Sequence, residues 1–155
     1  MRTTLARQES AVALHELRET LEYAEAGLAF LGNQGFEQTV CRMIGTGSSF
    51  KDGWALQYSS PSVTVTVLYT DMELEITFQN DGTKATYLFL DEALFGRAGG
   101  LHGNMFQLKT LPSALNVVCK DIESHYALIL AGDDAVWSTI LSLSKTPPPV
   151  RRLPL

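Results

Sequence analysis

From Val63 to Tyr69, and again from Glu73 to Phe78, the chain changes side at every residue. Val63, Val65, Val67 and Tyr69 alternate with Thr64, Thr66 and Leu68, and Leu74, Ile76 and Phe78 alternate with Glu73, Glu75 and Thr77. Two runs of period two, joined only by Thr70-Asp71-Met72, dictate antiparallel strands with one face buried and the other wet. Everything else in the fold has to cover the buried face.

More strands surround this pair. Glu37 to Ile44 reads as a first strand, followed by a turn at Gly45-Thr46-Gly47-Ser48-Ser49. Trp54 to Tyr58 is a second, ended by Ser59-Ser60-Pro61-Ser62. Asn80-Asp81-Gly82 is a hairpin signal, and Lys84 to Leu90 is expected as a further strand.

The flanks have a different period. From Glu9 to Leu31, Leu14, Leu17, Leu21, Ala24, Leu28 and Leu31 recur at three- and four-residue steps, the stripe of an amphipathic helix. Glu16, Glu19, Glu22 and Glu25 drift around its other side, and Gly32-Asn33-Gln34-Gly35 ends it. Thr110 is placed to cap a helix with Pro112 in its first turn and a stripe of Leu115, Val118, Cys119, Ile122, Tyr126 and Ile129 reaching Gly132. Asp133 or Asp134 caps another, carrying Val136, Trp137, Ile140 and Leu141. The expected fold is therefore α+β: an N-terminal helix, an antiparallel meander of four to five strands, and two C-terminal helices packed on one face. Residues 1–145 form one domain in this reading, and 146–155, with Pro147-Pro148-Pro149, form an extended or disordered tail.

Composition narrows the function classes. The 155 residues carry 17 acidic and 12 basic side chains, a formal charge of −5. That argues against a general nucleic-acid binder, which needs a basic face to displace counterions. No apolar run approaches the roughly 18 residues of a membrane span. The N-terminus turns acidic before any apolar signal region forms, so the chain reads as cytoplasmic. Cys41 and Cys119, far apart and without a CxxC partner, read as reduced, buried small hydrophobes, with a single disulfide between them as the alternative.

Catalytic and metal motifs are weak. His15-Glu16 lacks the second histidine of a HExxH zinc site, and the chain has only His15, His102 and His125 for a histidine centre, so no metal is expected. Asp121 and His125 stand four apart on a helix and read first as a helix-surface ion pair beside the core residues Ile122 and Tyr126. The Gly45–Ser49 run lacks the lysine and helix of a phosphate loop. Gly96 to Gly103 holds four glycines with Arg97 and His102, and reads as a flexible loop. The acidic residues are the more informative group: Glu16, Glu19, Glu22 and Glu25 on the helix, and Asp71, Glu73, Glu75 and Asp81 on one hairpin and its tips. They are the candidate partner-binding residues, offering a surface that complements a basic protein.

Three stretches carry a resemblance: Gly35-Phe36; Tyr58-Ser59-Ser60-Pro61-Ser62-Val63-Thr64-Val65-Thr66-Val67-Leu68-Tyr69-Thr70-Asp71 continuing through Glu75-Ile76-Thr77-Phe78; and Asp121-Ile122-Glu123-Ser124-His125-Tyr126 with Ile129-Leu130-Ala131-Gly132-Asp133. In layout, over roughly residues 30–140, the chain resembles the small α+β immunity proteins encoded beside bacterial polymorphic and contact-dependent-inhibition toxins. The resemblance implies a monomer or homodimer that binds one cognate protein, a basic toxin domain, and occludes its active site with an acidic face. It implies no cofactor, no catalysis and neither nucleic acid nor membrane as partner. Two alternatives stand beside it. A secretion chaperone would expose an apolar strip on the first helix. A small enzyme or ligand-binding domain would place His125, Asp121 and Tyr126 at a pocket.

Overall fold

The computed structural model describes residues 2–45, 51–96 and 106–145, with side chains from residue 14 onward. Helix α1 spans Arg2–Gly27 and continues as a 3-10 helix over Ala29–Gln34. Gly35 closes it in the left-handed region at φ 84°, which only glycine enters at little cost. The strands are β1 (Glu37–Ile44), β2 (Gly53–Ser59), β3 (Thr64–Thr70), β4 (Glu73–Asn80) and β5 (Thr83–Thr86). They form one antiparallel meander in the order β1-β2-β3-β4-β5. Helices α2 (Tyr87–Phe95), α3 (Leu111–His125), α4 (Ala127–Leu130) and α5 (Asp134–Lys145) complete the chain.

The register shows how the alternation is used. Trp54–Tyr69–Leu74, Leu56–Val67–Ile76 and Tyr58–Val65–Phe78–Ala85 are cross-strand rows on one face, and all ten residues are buried. Leu17, Leu21, Ala24 and Leu28 of α1, Leu115, Val118 and Ile122 of α3, and Trp137 and Ile140 of α5 join them in a single core. This is the α+β layout read from the sequence, with its helices on one side. Each buried indole has an acceptor: Trp54 Nε1 donates to Thr20 Oγ1 at 2.9 Å, and Trp137 Nε1 donates to the Ile129 carbonyl at 3.0 Å. Without such partners each would carry a desolvation cost of about 1–3 kcal/mol.

The opposite face carries the rows Arg42–Ala55–Leu68–Glu75, Val40–Gln57–Thr66–Thr77–Thr86 and Glu37–Ser59–Thr64–Gln79–Lys84. It is polar and laced by side-chain bonds, such as Thr39 Oγ1 to Gln57 Oε1 at 3.1 Å and Gln57 Nε2 to Thr66 Oγ1 at 3.3 Å. Thr39 sits at the irregularity where the β1–β2 register shifts between Gln38 and Val40. A bulge on an edge strand of this kind discourages a further strand from adding.

Two expectations need correction. The strand expected over Lys84–Leu90 stops at Thr86, and residues 87–95 are helical. Thr86 itself makes the switch: its backbone is extended, and its Oγ1 accepts the Phe89 amide at 3.2 Å as an N-cap. The helical stripe expected to run unbroken to Gly132 breaks at Tyr126, between α3 and α4. Residues 46–49 of the turn expected over Gly45–Ser49, residues 97–103 of the glycine-rich loop expected over 96–103, and the proline-rich tail (146–155) lie outside the described residues.

Candidate functional site

The eight acidic candidates fall on two surfaces. Glu16, Glu19, Glu22 and Glu25 belong to α1, whose apolar stripe is buried against the inner face of the sheet. Glu73 and Glu75 project from β4 on the other face, opposite Thr70 and Leu68. Asp71 and Asp81 sit in the turns at the two ends of β4. About 27 Å of strand therefore separates those two aspartates, at roughly 3.4 Å per residue. The sheet-side acids also share their face with Arg42 and Lys84, so that surface has mixed sign.

On α1 the charges are denser. The nine steps from Glu16 to Glu25 rise only about 13 Å along the axis. At about 100° per residue, Glu16, Glu19 and Tyr23 fall within about 60° of one another, and Glu22 follows about 60° further round. All four are exposed, and Tyr23 retains 44% of its surface. Arg18 is the one basic side chain between residues 14 and 27. His15 Nε2 lies 2.9 Å from Glu19 Oε1, an exposed pair one turn apart. Glu25 has rotated about half a turn away from Glu16, and its Oε2 accepts a hydrogen bond from Gln38 Nε2 on β1 at 3.0 Å. The ridge proper is thus Glu16, Glu19 and Glu22 around Tyr23, with Glu25 tying the helix to the sheet edge. Tyr23 was not singled out by sequence; its signal was an aromatic position off the Leu17–Leu21–Leu28 stripe.

Glu25 also acts on the Cys41 thiol and the Tyr58 phenol. Cys41 does not take the buried place expected of it: it is exposed on the edge strand β1, where partial desolvation and the Glu25 carboxylate push its thiol up. Tyr58 is held above the ordinary phenol range by burial, with the Gln38 hydrogen bond acting the other way. Cys119 is buried beside α1, close enough that a Cβ on Gly27 would lie 2.8 Å from its Sγ. Burial, assisted by Glu123, pushes that thiol up to about 12. Both cysteines are free thiols, and Cys119 is chemically quiet, since the thiolate is the reactive form.

A second constellation lies at the C-terminal side of the fold. Asp121 and His125 do form the pair expected from their spacing, with His125 Nδ1 3.1 Å from Asp121 Oδ1. The pair is not a surface bridge, because Asp121 keeps only 11% of its side-chain exposure against 53% for His125. The other carboxylate oxygen accepts the hydroxyl of buried Tyr87 at 2.6 Å. Phe95 meets the imidazole edge-on, with ring centroids 6.5 Å apart, and Tyr126 stacks on Tyr87 and meets Phe95 at a tilt. His125 lines a cavity of about 380 Å³ together with Leu94, Phe95, Leu128, Val136 and Thr139. Of the three residues expected at a pocket, His125 lines the cavity, whereas Asp121 and Tyr126 stand behind it and are not part of the lining; Tyr87 was missed, because residues 84–90 read as strand.

Among the described residues, no group of three His, Cys, Asp or Glu side chains is placed to hold a metal ion, and no helix is long and apolar enough to cross a membrane. His102 lies outside the described residues. Compared with models of known protein families, with curated proteins and with solved structures, the chain matches none of them.

Proposed function

We propose that this chain is an immunity-type binding protein that acts in the bacterial cytoplasm. It neutralises one cognate toxin by covering the toxin's active site, without a cofactor or catalysis of its own. The observation that carries this reading is the ridge on α1: Glu16, Glu19 and Glu22 exposed around Tyr23, on a helix whose other side is locked into the core. An aromatic anchor bordered by charge of one sign matches what protein interfaces use. The ring supplies buried contact area, and the charges steer a basic partner and reject acidic ones. The helix is also a rigid platform, so little ordering cost falls on binding.

The chaperone alternative draws less support. Leu17, Leu21, Ala24 and Leu28 are buried, so residues 14–27 offer no exposed apolar strip for an unfolded segment. The reading is tested by capture from a lysate of the source organism at low salt, followed by expression of the captured protein alone in a bacterial host. The expected result is one basic protein that arrests growth alone and is rescued by co-expression of this chain. Several unrelated secreted clients, or a captured protein that is harmless alone, would overturn it.

A further inference from the structure

We infer that the cavity between α2, α4 and α5 is a binding site for a small aromatic alcohol or phenol, whose hydroxyl is received by His125. This inference concerns a different surface from the acidic ridge and does not depend on the toxin-binding reading.

The cavity has the anatomy of a small-molecule site. Its volume of about 380 Å³ lies at the lower end of the range for such pockets, roughly 300–1,000 Å³. Leu94, Phe95, Leu128 and Val136 make its walls apolar, and His125 and Thr139 are the polar residues on its lining. Thr139 is already committed, donating its hydroxyl to the Ala135 carbonyl at 2.9 Å. Leu128 remains 57% exposed at the cavity, a large apolar side chain that a ligand would cover.

The histidine is held rather than merely present. Tyr87 donates to one oxygen of Asp121 and His125 Nδ1 to the other, so the carboxylate is fixed from the core side and orients the imidazole. Phe95 supports the ring edge-on from the α2 side. A carboxylate that accepts Nδ1–H selects the tautomer whose Nε2 carries a lone pair. The Nε2 of that tautomer accepts a hydrogen bond from a ligand hydroxyl, which keeps its proton, while the apolar walls take the ring that bears it. Tyr87 and Asp121 are positioning residues in this arrangement, and His125 is the group that touches the ligand.

The probes are 2-naphthol and 2-methoxynaphthalene, which share the bicyclic ring and differ in the hydroxyl donor. Each is titrated into the full chain at about pH 8 and followed by fluorescence and calorimetry. The expected result is saturable 1:1 binding of 2-naphthol, with the methoxy compound about 10-fold weaker because Nε2 then has no donor. His125→Ala should weaken 2-naphthol by about the same factor and leave the methoxy compound unchanged. Tyr87→Phe should give a smaller loss confined to 2-naphthol, a discrimination that a purely structural role would not produce. Leu128→Asp, at an exposed position that does not burden folding, should abolish binding of both. If His125→Ala fails to show the native unfolding transition, His125→Phe takes its place, keeping ring volume without the acceptor. No saturable 2-naphthol binding, equal affinity for the two probes, or an unchanged 2-naphthol affinity on loss of the imidazole would each overturn the inference.

Discussion

Met72 and Cys119 show how single side chains set measurable properties of this fold. The β3–β4 turn places Asp71 at φ 55° and Met72 at φ 64°, a primed two-residue turn built without glycine. A left-handed L-residue costs roughly 1–2 kcal/mol, so Met72→Gly should raise the unfolding free energy by about 1 kcal/mol. The gain is read as a higher urea midpoint at unchanged slope; a lower midpoint would mean that the half-buried methionine side chain contributes more than its backbone costs. Cys119 makes an alkaline prediction. Its folded thiol is raised from 9.0 to about 12, so between those values the folded state holds a proton that the unfolded state has released. Stability is then fully present below about pH 9 and falls as pH rises, by at most about 1.4 kcal/mol per unit. Cys119→Ala should flatten that alkaline limb relative to the wild type, although it lowers stability at neutral pH. Sequence placed Cys119 on a buried helical stripe, but the closeness of Gly27, which makes its environment so dry, is a tertiary fact.

The elements that the sequence described best are those whose period is uniform and whose ends carry their own signals. Strands β3 and β4 alternate in burial from Thr64 to Thr70 and from Glu73 to Phe78 and are joined by two turn residues, so they are legible to within a residue or two. The stretch from Thr83 was not. Lys84-Ala85-Thr86-Tyr87-Leu88-Phe89-Leu90 is rich in residues that suit a strand, and a short apolar run does not separate strand from helix. The decision lies with one hydroxyl, since the Thr86 side chain caps the Phe89 amide. Thr86→Ala should therefore cost about 1 kcal/mol, and Thr86→Ser should restore most of it. The loss should appear first as faster hydrogen exchange in α2, ahead of the central strands. Because α2 carries Tyr87 at its start and Leu94 and Phe95 at its end, the cavity beside His125 depends on that cap. This is why the Asp121–His125 pair could be found by spacing while Tyr87, its third member, could not.

For the molecule as a whole, the sheet divides what the sequence could only group. Net charge and the positions of the acidic residues were visible in the chain; which of them share a surface depended on where α1 docks. The sheet sets α1 and its ridge on one side and Glu73 and Glu75 on the other, so a single partner footprint does not have to include both. The footprint proposed for the partner is the ridge on α1. It predicts an affinity that falls as salt rises from about 50 to 200 mM, since exposed charges are screened over a Debye length of about 10 Å. The most direct test is the dissociation constant of the captured partner, measured with two charge-reversed variants at both salt concentrations. Reversal on the ridge, Glu16→Lys with Glu19→Lys, should weaken binding at least about 10-fold at low salt and remove most of its salt dependence. Reversal on the sheet, Glu73→Lys with Glu75→Lys, should leave both nearly unchanged. Loss of binding through the sheet pair, with the ridge pair silent, would contradict the account.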